Sequence, residues 1–92
     1  MVVQISRPLP AQIKLLPQEK EGDCRFKGQF VATRNALDRF GQAAILAALL
    51  MLRKKASEGA SLDYLQVFEV NGQRLWIIDD GDVVTALLPE DY

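Results

Sequence analysis

Residues 43–52 read AAILAALLML, ten apolar residues in succession in a chain of 92 residues of which 25% are charged. Alanine and leucine are strong helix formers, and Ile45 is the one β-branched residue in the run, so the stretch reads as helix. A helix that is apolar on every side must find cover for more than one face or leave part of itself in water. Ten apolar residues are about half of what a bilayer-spanning helix needs. The opening MVVQISRPLP has no basic segment followed by a long apolar stretch. The expectation is therefore a soluble, unexported, cytoplasmic chain, folded as a single domain over residues 1–92.

Thr33 or Asn35 can cap the start of this helix, which runs to about Lys55 before Gly59 breaks it. Arg53, Lys54 and Lys55 sit at its carboxyl end, where the helix dipole favours cations. At 1.5 Å per residue it is about 30 Å long, which is longer than a strand of ordinary length. On a helical wheel Leu37, Gly41, Ala44 and Ala48 align as a stripe of mostly small residues, flanked by Phe40 and Met51 on one side and by Ile45 and Leu52 on the other. That stripe is expected to face a sheet, with Gly41 allowing close approach. Arg39, Gln42 and Arg53 then lie on the opposite, solvated side. Leu46 and Leu50 lie there too, one turn apart, each forgoing about 2 kcal/mol of burial if left wet. The expected use of that side is self-association, a homodimer or a protein partner docking on Leu46, Leu50, Gln42, Arg39 and Arg53. The competing expectation is that residues 2–9 fold over the two leucines within one chain.

Around the helix the chain reads as strands. Residues 11–17, AQIKLLP, suit a brief edge strand next to prolines. In CRFKGQFV, residues 24–31, Cys24, Phe26, Gly28 and Phe30 alternate with Arg25, Lys27 and Gln29, the pattern of a half-buried strand. YLQVFEV-NG-QRLWII is a hairpin turning on Asn71-Gly72, with Glu69 opposite Arg74, Phe68 opposite Leu75 and Val67 opposite Trp76. DDGD turns again, with Ile78 expected opposite Val83, and VVTALL returns as a third strand. The fold class is α+β, in the order β-β-α-β-β-β, with one long helix on a mostly antiparallel sheet and a three-stranded meander at the carboxyl end. The meander carries apolar side chains on both faces.

The side-chain inventory restricts the chemistry. The chain has no histidine and a single cysteine, which removes His-based triads and zinc sites and any internal disulfide. No cofactor, catalytic residue or metal site is expected, and Cys24 reads as a structural thiol. Asp79, Asp80 and Asp82 around Gly81 offer hard oxygen ligands, but without the spacing of a calcium loop; they read as turn residues. The tail PEDY reads as a fraying terminus.

Net charge is −1, yet residues 1–56 hold ten Lys/Arg against four acids, and residues 57–92 hold one Arg against eight acids. Arg25, Lys27, Lys54 and Lys55 are the candidates for anion binding, which makes a nucleic-acid-binding module the alternative function. The succession of a helix and a three-stranded meander also resembles the RelE-type ribonuclease toxins in the order of elements, over about 50 residues. That resemblance implies RNA cleavage by basic residues. This meander holds a single arginine, and no motif of that family maps onto it residue by residue.

Overall fold

A computed structural model describes residues 12–92. Its elements are β1 (Ile13–Leu15), β2 (Gln29–Ala32), α1 (Arg34–Ser57), β3 (Leu65–Val70), β4 (Gln73–Asp79), β5 (Val83–Leu87) and a 3₁₀ turn at Pro89–Asp91. The expected α+β class and β-β-α-β-β-β order are those observed. The five strands form one sheet in the order β1-β3-β4-β5-β2. All pairings are antiparallel except β2 with β5.

Asn71 (φ 51°) and Gly72 (φ 83°) both adopt the left-handed backbone that a tight hairpin turn of the primed type demands. The β3–β4 register follows the expected one, with Val67 opposite Trp76, Phe68 opposite Leu75 and Glu69 opposite Arg74. The second turn differs from expectation. Ile78 lies opposite Thr85 and not Val83. Asp80 is the cause: its Oδ1 accepts the N–H groups of Asp82 and Val83 at 3.1 and 2.9 Å and shapes a turn that displaces the register by two residues. A shift of two leaves every side chain on its expected face, so the core is unaffected.

That core lies between α1 and one face of the sheet. Ile45, Ala48, Leu49, Leu52 and Ala56 from α1 meet Phe68, Val70, Leu75, Ile77, Val84 and Ala86. The expected inward stripe is corrected here. Gly41 has φ 82° and ψ 156°, which interrupts α1 after seven residues, and the residues on either side of the break no longer share one helical phase. Leu37, expected to face the sheet, is 39% exposed, and the flank of Ile45 and Leu52 becomes the centre of the buried face. Thr33 is the N-cap, its hydroxyl accepting the Ala36 N–H at 3.1 Å. By length and composition α1 could cross a membrane, and 28% of its apolar window is buried inside the fold.

The stretch expected as one strand over residues 24–31 is in two pieces. Cys24 bridges Leu62, Phe26 turns into the left-handed region at φ 57°, and β2 begins only at Gln29. The face alternation survives the break, with Arg25, Lys27 and Gln29 exposed and Phe26 fully buried.

Candidate functional site: an uncovered helix flank

Past Gly41, α1 presents Gln42, Ala43, Leu46, Leu50 and Lys54 outward. Ala43 is three and four residues from Leu46 and Ala47, and Leu50 is four and three from the same two, so the four form one apolar strip along this flank. Leu46 is 40% and Leu50 60% exposed. The cause is geometric: a sixteen-residue helix on one sheet can bury only about a third of its circumference, and this segment is apolar over more than that. The strip ends at Lys54, whose Nζ meets Glu58 at 2.7 Å one turn further on.

The other residues assigned to this face divide. Gln42 lies beside the strip, exposed. Arg39 precedes the Gly41 break and reaches Glu90 at 3.6 Å. Arg53 is corrected: it does not stand free on a solvated side. Its Nε donates to the Phe26 carbonyl at 2.7 Å and its guanidinium reaches the Gly28 carbonyl at 3.4 Å. The expectation that residues 2–9 cover the leucines lies outside the described residues.

Of the four candidate anion-binding residues, Arg25 reaches the Ala56 carbonyl at the end of α1 at 3.5 Å, next in the chain to Lys54 and Lys55. Arg25 and Lys27 border a groove of about 310 Å³ that also contains Asp23, Cys24 and Asp79. Lys54 is engaged with Glu58. Lys55 lines a different groove, with Leu15, Leu16, Leu62 and Gln66. Cations that share a groove with carboxylates, or are paired, make a poor track for phosphates.

Among the described residues no group of three or more His, Cys, Asp or Glu is arranged to hold a metal ion. Two of the turn acids, Asp79 and Asp80, are engaged with backbone. Asp79 is 8% exposed, and its two oxygens accept the N–H groups of Phe26 and Gly81, each at 2.9 Å. Cys24 is half-buried, and burial followed by the Asp79 carboxylate pushes its thiol pKa up, away from the lowered values of reactive cysteines.

Two features escaped sequence reasoning. The first is the lock on Phe26, whose N–H is held by Asp79 and whose carbonyl is held by Arg53. No local pattern announces it, since the partners lie 53 and 27 residues away. The second is the tail, which is docked and does not fray. Asp91 accepts from the Thr33 hydroxyl, the Asn35 amide and the Leu88 N–H at 2.8, 2.8 and 3.0 Å. These bonds, that from Asn35 foremost, hold its pKa below the usual carboxylate range. Tyr92 packs edge-on against Trp76, ring centroids 5.8 Å apart, on the sheet face away from the helix.

No protein-family model matches the chain, and no curated protein or solved structure matches it significantly.

Proposed function

We propose that this chain is a non-enzymatic, cytoplasmic protein that works by protein–protein contact, first of all by self-association through the Leu46/Leu50 flank of α1. The observation that carries the reading is the exposure of these two adjacent leucines, 40% and 60%, on a helix whose other large apolar side chains are mostly packed. An apolar strip at the centre of an exposed flank gains free energy when a partner covers it. Support also comes from what surrounds it. The strip is uncharged from Gly41 to Leu52, so two copies meeting on a two-fold axis bring no like charges together. The RNA-directed alternative draws less support, because Arg25, Lys27 and Lys55 share their grooves with carboxylates and Lys54 is paired with Glu58.

Sedimentation equilibrium of the wild type and of the Leu46→Glu/Leu50→Glu double variant is the test. The exposed fractions of the two leucines amount to about one leucine side chain per protomer. Covering them in a two-fold dimer contributes roughly 4 kcal/mol, and about a thousandfold in the dissociation constant. The expected result is a wild-type dimer and a folded, monomeric double variant. A wild type that stays monomeric at millimolar concentration refutes the proposal.

A further inference from the structure

The exposed flank of α1 lies on the side of the helix turned toward β2, which among the described residues is an edge strand. Arg53 fixes the relation between them. Its contacts to the carbonyls of Phe26 and Gly28 set this side of the helix over the segment that leads into β2. The carboxyl end of α1 also reaches that segment, with Arg25 Nη1 3.5 Å from the Ala56 carbonyl. The helix therefore runs opposite to β2 in direction, its body packed over β5, β3 and β1, with Arg53 on the side turned toward β2. Leu46 is seven residues before Arg53, so it shares Arg53's face and lies about 10 Å nearer the helix start. Three strand residues span the same distance, which sets Leu46 level with Val31, with Leu50 turned further outward.

β2 is an edge strand, paired only with β5 among the described residues. The N–H groups of Gln29 and Thr33 point to β5, bonding the carbonyls of Asp82 and Ala86. By strand alternation the N–H and C=O groups of Phe30 and Ala32 point the other way, off the edge of the sheet. The opposite edge, β1, is blunted by its three-residue length, by Lys14 and by Pro17. β2 has none of these devices: from Gly28 to Thr33 there is neither charge nor proline, and Val31 is 40% exposed. An unprotected strand edge next to an uncovered apolar helix flank is a place where one more strand fits.

Resting on the self-association reading, we infer that a second copy of this chain supplies that strand: its β2 lies antiparallel beside the first, joining two five-stranded sheets into one across a two-fold axis at Val31. In this register Phe30 of each copy faces Ala32 of the other, and the outward N–H and C=O groups of both residues pair. The Val31 side chains meet on the open sheet face, and the Leu46/Leu50 flanks close over the seam. A second copy fits better than a charged partner because both contributing stretches are uncharged, so no residue is set against its own like charge on the axis.

The test combines sedimentation equilibrium with amide hydrogen exchange on the full chain. Ala32→Pro removes an outward N–H while sparing the β2–β5 ladder, and Val31→Lys places like charges on the axis at a side chain that is already exposed. Each is expected to weaken dimerisation at least tenfold with the thermal transition of the monomer retained. An equimolar mixture of Val31→Lys and Val31→Glu is expected to restore the dimer, and wild-type Phe30 and Ala32 amides to lose protection on dilution. If the wild type dimerises and Leu46→Glu/Leu50→Glu abolishes it, while Ala32→Pro and Val31→Lys dimerise as the wild type does, the β2 pairing is overturned and the helix-flank reading stands. A monomeric wild type overturns both, and protected Phe30 and Ala32 amides in that monomer would identify the chain's own residues 1–11 as the occupant.

Discussion

Replacing Asp79 by alanine tests whether the buried carboxylate is what holds Phe26 in its left-handed conformation. Phe26 is fully buried and sits at φ 57°, a conformation that costs a non-glycine residue roughly 1–2 kcal/mol. Its N–H has the Asp79 Oδ2 as partner at 2.9 Å. Removing the carboxylate leaves a buried donor unpaired, at about 1–3 kcal/mol. The Gly81 N–H, the carboxylate's other partner, lies in an exposed turn and recovers water at little cost. The net expectation is about 2–3 kcal/mol, which for a domain of this size lowers the melting temperature by roughly 8–24 °C. Arg53→Met removes the grip on the carbonyl of the same residue, so the double variant should cost less than the two single effects added, because once one hold is lost Phe26 can relax. Thermal and urea unfolding at one protein concentration measure all three variants. A loss below about 0.5 kcal/mol for Asp79→Ala, or strict additivity with Arg53→Met, would refute the lock.

Other consequences are as direct. Gly28→Ala places a Cβ 2.5 Å from the Asp82 carbonyl oxygen, a backbone atom that cannot swing away, and is expected to destabilise by about 1–3 kcal/mol in the same unfolding assays. Asp91 has a lowered pKa in the folded chain; its contribution to tail docking is present above the ordinary carboxylate pKa and is lost as the pH falls through the depressed folded value. Trp76 fluorescence, which reads the Tyr92 contact, should change over that acidic window in the wild type and be insensitive there in Asp91→Asn. Cys24, with its raised thiol pKa, should react with iodoacetamide at pH 7.5 more slowly than a free cysteine peptide, and unfolding in urea should restore the peptide's rate.

The elements of this fold are written locally. The cap at Thr33, the Asn71-Gly72 turn with its register, and the alternation over residues 24–30 each depend on neighbours within a few positions, where propensity and side-chain period act. The sum of charges and the lack of histidine likewise restricted the chemistry without any coordinates. Local pattern did not decide how distant pieces meet. The parallel pairing of β2 with β5, the capture of Phe26 by Asp79 and Arg53, and the docking of Asp91 on Thr33 and Asn35 join residues 27 to 58 positions apart, and the burial that makes them favourable exists only after the chain has closed. Gly41 shows the same division. A helical wheel assumes one continuous helix, and the break at that residue shifted the inward face from the line of Leu37 to Ile45 and Leu52. Leu46 and Leu50 stood out in the sequence as surplus apolar surface, because a helix can turn only one side to a single sheet. That this surplus is turned toward the β2 side of the sheet was decided by tertiary packing, through Arg53 anchoring that side of the helix over Phe26 and Gly28.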